Sequence, residues 1–168
     1  MKTKLRLASV FLMLSGIFIL STSFSDSSTK NWEYVPVFMK RADLEQSVSY
    51  QSTVREMENP GKIYYKSPYI YINERYKGVH VINNSDPYHP VKEGFIVAPG
   101  CIDMAVKGNI LYLDNAVDLV AFNLSTKQVT KRIQNVFPEP VSPDNRFYYG
   151  SNRGDYILVG WKKNPNKN

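Results

Sequence analysis

Beyond residue 58 the chain alternates short apolar runs with polar breaks. The runs Lys62 to Lys66, Tyr69 to Glu74, Gly78 to Asn83 and Gly94 to Val97 are rich in β-branched and aromatic residues, and each predicts one strand. Ser67-Pro68, Arg75 to Lys77, and a polar link from Asn84 through Pro87 and Pro90 separate them. A second set follows at Ile102 to Val106, Ile110 to Asp114, Leu119 to Asn123 and Val129 to Ile133. Its turns are Lys107-Gly108-Asn109 and Ser125-Thr126-Lys127. A strand roughly every 8–12 residues is the cadence of an all-β fold. Upstream the pattern weakens. Apolar residues run from Trp32 to Phe38, but Leu44, Val48 and Val54 stand far apart among polar groups, which predicts irregular or edge structure over Arg41 to Met57.

The two sets align with each other. A shift of 41 places Tyr69 to Asn73 on Ile110 to Asp114, with Lys66 on Lys107. Dropping one hairpin residue then places Val79 to Asn83 on Leu119 to Asn123. A partial third copy is predicted from Phe147-Tyr148-Tyr149 and Tyr156 to Val159, joined by a turn over Ser151 to Asp155. Four strands per unit of about 40 residues is the sequence signature of propeller blades. The expected fold is therefore an all-β, incomplete β-propeller of two full four-stranded blades plus part of a third. A ring generally needs about four blades or more, so the expectation includes either assembly with other chains or a truncated copy. Truncation would leave Tyr148, Ile157 and Val159 poorly covered.

The residues that carry this periodicity resemble the LVIVD-repeat family of exported bacterial and archaeal proteins. The resemblance rests on Asn59-Pro-Gly-Lys-Ile-Tyr64, on Tyr69 to Glu74 followed by Tyr76 to Pro87, on Ala98-Pro-Gly100 leading to Asp103 through Asn109, and on Leu111 to Asp114 with Asp118 to Ser125. It covers roughly Tyr34 to Trp161. It implies a propeller fold and an address in the bacterial envelope. It carries over no catalytic residue.

The first 25 residues predict that address independently. A basic stretch with Lys2, Lys4 and Arg6 precedes an apolar run from Leu7 to Leu20, and Ser21 to Ser25 is small and polar apart from Phe24. Charge order and length are those of a signal peptide, with an uncleaved anchor as the alternative. A run of 14 residues is shorter than the roughly 20 that span a bilayer as a helix. The domain plan is thus a signal peptide over 1–25, a linker and irregular segment over 26–58, blades over 59–161 and a disordered basic tail over 162–168. Localisation is expected in the periplasm, outer membrane or cell surface.

Charge adds little beyond this. The formal charge is +6, but removing residues 1–25 leaves 18 basic against 15 acidic groups, and removing Lys162, Lys163 and Lys167 leaves 15 against 15. A neutral body has no field to gather phosphates, which argues against nucleic acid as a partner. One Cys and two His supply too few ligands for a metal cage or a disulfide framework, so no metal and no cofactor are expected. Cys101, with no adjoining base, reads as a small buried hydrophobe.

Candidate chemistry centres on the acids Glu74, Asp103, Asp114 and Asp118. On a propeller rim they could pair as the acid and base of glycan cleavage. Asp114 and Asp118 flank a predicted hairpin and Glu74 takes the equivalent place in the first set, where carboxylates serve turns, so catalysis is not expected. His80 lies between Val79 and Val81 and reads as a packed or hydrogen-bonded histidine, His89 as a loop residue, and neither shows a partner in sequence. The tyrosines at 64, 65, 69, 71 and 76 suggest a sugar-stacking or protein-binding surface, about half of it buried by strand alternation. Asn83-Asn84-Ser85 and Asn123-Leu124-Ser125 match a glycosylation triplet, read as chance.

The function expected from all this is a non-catalytic interaction or scaffold module. It would bind an unknown protein or envelope glycan through loops of one rim, with Glu74, Arg75, Tyr76, Tyr88, His89, Asp114 and Asp118 as interaction residues. Completion of the ring by an oligomer, a carbohydrate-binding or carbohydrate-active propeller, and a non-functional fragment are the alternatives.

Overall fold

The computed structural model describes residues 32–148 and 153–167, and the chain there is all-β with three antiparallel sheets, none closed. The expected signal peptide, the expected linker through Asn31, and Tyr149, Ser151 and Asn152 of the expected third copy and its turn lie outside the described residues.

The strands are β1 (Tyr34–Lys40), β2 (Ser49–Gln51), β3 (Pro60–Lys66), β4 (Tyr69–Glu74), β5 (Gly78–Asn83), β6 (Val91–Val97), β7 (Met104–Lys107), β8 (Ile110–Asn115), β9 (Asp118–Asn123), β10 (Gln128–Ile133) and β11 (Tyr156–Lys163), with one helix, α1 (Arg41–Gln46). The first sheet has the order β2-β6-β5-β4-β3, and the second β10-β9-β8-β7. Each contains four consecutive strands paired as a meander, because short turns permit only antiparallel neighbours. The terminal sheet is β1-β11.

Strand alternation decides which face of each sheet meets the other. Tyr71, Val79, Val81 and Ile96 of the first sheet pack with Met104, Val106, Leu111, Leu113, Val120 and Phe122 of the second in one buried cluster. Burying this apolar surface, at about 25 cal/mol per Å², is the main force holding the two sheets together. The Tyr64 hydroxyl crosses the interface to donate to the Val106 carbonyl at 2.8 Å. The link from β6 to β7 is fastened by two buried asparagines. Asn73 Nδ2 donates to the Cys101 carbonyl at 3.3 Å, and Asn115 Nδ2 to the Pro99 carbonyl at 2.6 Å. Gly100, at φ 84°, passes so close to the second sheet that a Cβ there would lie 2.6 Å from the Ala116 backbone.

Three expectations change. The segment over 26–58 drawn as linker and irregular structure holds β1, and Arg41 to Met57, read as irregular or edge structure, holds α1 and the edge strand β2. The third copy does not form as drawn. Phe147 and Tyr148 are not in a strand, and β11 pairs instead with β1, with Tyr34 opposite Lys163 and Lys40 opposite Tyr156. This pairing covers the end that was expected to lie bare, leaving Leu158 1% and Val159 5% exposed, with Val159 packed on Leu44 of α1 and Ala116. The tail is also shorter than expected, since Lys162 and Lys163 belong to β11 and Asn164 Nδ2 donates to the Trp32 carbonyl at 2.8 Å.

Candidate functional site

Successive loops of a meander emerge at opposite ends of its sheet, and this divides the expected rim. The hairpins at Arg75–Lys77 and Ala116–Val117 lie at one end. The Asn84–Pro90 link lies at the other, where the Asn84 amide donates to the Pro68 carbonyl at 2.8 Å. Tyr88 and His89 therefore do not join Glu74, Arg75, Tyr76, Asp114 and Asp118 in one surface. Tyr88 is 90% exposed, and His89 Nδ1 sits 2.8 Å from the Asp86 carboxylate.

At the hairpin end each acid is occupied by the fold. Glu74 is buried on the outward face of the first sheet, and its carboxylate accepts the backbone amides of Asn59 at 2.6 Å and Glu58 at 3.2 Å. His80, a diagonal neighbour across the β4–β5 pair, places Nε2 3.1 Å from Glu74 Oε2 and its ring edge-on to Phe95. His80 is thus both packed and hydrogen-bonded, with a partner that was not visible in sequence. Hairpin register is what supplies one, since Ile72 lies opposite His80 and Glu74 two residues further on the same face. Burial pushes the Glu74 carboxyl up, but hydrogen bonds from His80, Asn59 and Glu58 outweigh it and leave the group below its ordinary range.

Asp114 does for the second sheet what Glu74 does for the first. Its Oδ1 accepts the amides of Ile102 and Asp103, both at 2.9 Å, where the chain enters β7. Here burial wins over those hydrogen bonds, and the Asp114 carboxyl lies above its ordinary range. Burial and the nearby Asp114 also raise the Cys101 thiol well above its usual value, which suits an inert, fully buried side chain. Asp103 pairs with Lys62 at 2.6 Å.

Asp118 is the most heavily engaged acid. Its side chain has no exposure. Arg41 at the start of α1 reaches both carboxylate oxygens, at 2.8 and 2.7 Å, Arg132 of β10 donates at 2.8 Å, and the Asn135 amide at 3.1 Å. Arg132 also donates to the Leu44 and Glu45 carbonyls that end the short helix. Burial pushes the Asp118 carboxyl up, yet Arg41, the Asn135 amide and Arg132 together hold it below the ordinary range. No sequence signal joins these groups, because Arg41 and Asp118 stand 77 residues apart.

Among the described residues lie two concave regions. A groove of about 750 Å³ runs over the outward face of the second sheet, floored by Ala105, Tyr112 and Leu119, walled by Phe137 and Val141, and reached by Arg75 at its rim. Tyr76 contributes to its wall, with its hydroxyl donating to the Val141 carbonyl at 3.2 Å. At the opposite end a smaller cavity of about 350 Å³ opens between the two sheets. Among the described residues no three His, Cys, Asp or Glu side chains are grouped to hold a metal ion, and no helix is long and apolar enough to cross a membrane. The glycosylation-like triplets serve as turns: Asn83 Oδ1 accepts the Ser85 amide, and Asn123 Oδ1 those of Ser125 and Thr126.

No protein-family model, curated protein or solved structure matches the chain.

Proposed function

We propose that the chain is an exported, non-catalytic interaction or scaffold module of the bacterial envelope, built from propeller-type blades that stack head to tail. The observation that carries this reading is the orientation of the two packed sheets. Tyr71, Val79 and Val81 of the first sheet lie in the shared core, while the residues aligned with them, Tyr112, Leu119 and Ala121, belong to the outward face of the second. Conversely Leu111, Leu113 and Phe122 lie in the core, and their aligned partners Ile70, Ile72 and Ile82 belong to the outward face of the first. Copies related by rotation about a common axis stack this way, whereas a two-fold sandwich would bury equivalent residues against each other.

Such stacking leaves the outward face of the second sheet open around Tyr112. On the first, whose Glu74, His80, Ile82 and Phe95 are buried, it leaves only the β3 edge with Ile63 and Tyr65. The partner that fits the open face is that edge of a second copy. A catalytic role is disfavoured by the acids. Cleavage of a glycoside needs two carboxylates facing one bond, and Glu74, Asp103 and Asp118 are each tied to a cation or histidine.

Sedimentation of the full chain tests this reading. It is expected to run heavier than a monomer at concentrations of about 10–100 µM, within the weak micromolar range of small interfaces, and Tyr112→Glu is expected to return it to the monomer. A monomer at every concentration would overturn the scaffold reading. Release of reducing ends from envelope polysaccharide, abolished by Asp114→Asn, would replace it with the carbohydrate-active alternative.

A further inference from the structure

The smaller cavity, at the end of the sheets away from the acids, has a chemistry of its own. Its floor is apolar, formed by Val81 and Ile96 of the first sheet and Phe122 and Leu124 at the second. Tyr50, Tyr69 and Tyr71 form its aromatic walls, with the Tyr69 and Tyr71 rings 6.2 Å apart and inclined at 40°. Gly94 allows Tyr50 to lie against β6, since a Cβ there would fall 2.4 Å from the Tyr50 hydroxyl oxygen. That hydroxyl donates to the Glu93 carbonyl at 3.2 Å, and the Lys127 ammonium caps the other aspect of the ring at 3.9 Å.

Asn109 and Ser125 of the lining are bonded to one another and to Asn123, but other polar groups there are open. Neither the Tyr69 and Tyr71 hydroxyls, nor the Lys66 ammonium, nor the Glu93 carboxylate has a hydrogen bond or ion pair to another described residue. Burial, with Tyr69 and Glu93 nearby, pushes the Tyr71 hydroxyl up to about 12, so at neutral pH it keeps its proton for donation. The lining therefore offers an acceptor without a donor at Glu93, a donor without an acceptor at Lys66, and two hydroxyls that serve either way. Tyr71 is buried, Tyr69 and Lys66 are half-buried, and Glu93 is exposed at the cavity mouth, so these groups reach from the floor to solvent.

From this juxtaposition we infer that the cavity binds a neutral sugar, as a free monosaccharide or disaccharide or the terminal unit of a glycan. Each hydroxyl of a pyranose both donates and accepts, so adjacent hydroxyls satisfy a carboxylate and an ammonium together. Its C–H face has the apolar character of a tyrosine ring and of the floor beneath. A phosphate would face Glu93, and an aliphatic chain would offer nothing to the Tyr69 and Tyr71 hydroxyls, Lys66 or Glu93. The volume sits at the low end of small-ligand pockets, roughly 300–1,000 Å³. The site is independent of the groove on the second sheet and of the scaffold reading.

Ligand-observed saturation-transfer NMR and calorimetry on the full chain test it, with the methyl glycosides of glucose, galactose, mannose and N-acetylglucosamine as probes and an acetylated tripeptide as control. At least one glycoside is expected to bind with a Kd of about 1 mM or tighter. Tyr69→Ala and Glu93→Gln should each weaken that binding about tenfold, and Tyr71→Phe should weaken it severalfold with an unchanged melting temperature. Tyr112→Glu, which addresses the scaffold face, should leave it unaltered. Failure of all four glycosides at about 50 mM, binding that survives both Tyr69→Ala and Glu93→Gln, or binding of the tripeptide alone would each overturn the assignment.

Discussion

Replacing Asp118 with alanine is expected to lower the unfolding free energy by about 3 kcal/mol, near the low end of the cost of breaking a buried charge pair. The loss comes less from the attraction removed than from what is left behind. Arg41 and Arg132 both point at the vacated position, and the Asn135 amide loses its acceptor. Both guanidiniums keep some access to water, 21% and 12% exposed, which holds the cost at the lower end. Arg41→Ala should cost less, roughly 1–2 kcal/mol, because Arg132 and the Asn135 amide still serve the carboxylate. The acid limb of the stability curve carries the same information. The folded-state pKa of Asp118 lies below its unfolded value, so its contribution is present above about pH 4 and is lost as pH falls through the folded value. Glu74 adds to that loss in the same direction. Asp114, raised in the folded state, opposes it, since protonation favours the fold at that position. Asp118→Ala should therefore flatten the acid limb. Urea denaturation of the variants from pH 3 to 7 checks this, and a change under about 1 kcal/mol at pH 7 would show that the two arginines are not held by Asp118.

Phe122→Ala should cost about 3–5 kcal/mol, the range for deleting a buried aromatic ring. Phe122 is 1% exposed and joins the second sheet to Tyr71, Val81 and Ile96 of the first. It also forms part of the floor of the smaller cavity, so its removal enlarges a space that already exists and the surroundings have little reason to collapse onto it. Val129→Ala on the neighbouring strand, at a side chain 39% exposed, is the control and should cost under about 1 kcal/mol. Comparable midpoints in urea for the two variants would mean that the contact between the sheets contributes little to stability.

The strands that pair with their neighbours in sequence were legible from pattern alone. Tyr69 to Glu74 and Gly78 to Asn83 coincide with β4 and β5, and β8 and β9 differ from their predicted spans by one residue at one end. Short hairpins make the partner of each strand the next one along, so local alternation and turn residues suffice. Partners distant in sequence left no such trace. β1 lies opposite β11 more than a hundred residues away, and nothing in Tyr34 to Lys40 reports that pairing. The helix α1 is six residues long with only Leu44 buried, too short for a 3.6-residue period to register. The places of Glu74, Asp114 and Asp118 beside hairpins were readable, but Glu74 and Asp114 hold the amides where the chain enters β3 and β7 rather than the turns they flank. The arginines around Asp118 were not readable, because they arrive from α1 and β10 by tertiary packing. The single binding rim failed for a different reason: loops were grouped by composition, whereas a meander sorts them by parity.

Alkylation of single cysteines placed at aligned positions tests the head-to-tail arrangement most directly. In a Cys101→Ala background, Tyr112→Cys on the outward face should react with a maleimide far faster than Tyr71→Cys, its aligned partner in the core. Ile72→Cys should likewise outpace Leu113→Cys. Residues equivalent in sequence would thus report opposite environments. Equal rates within each aligned pair, or the reverse order, would contradict the stacking on which the scaffold reading rests.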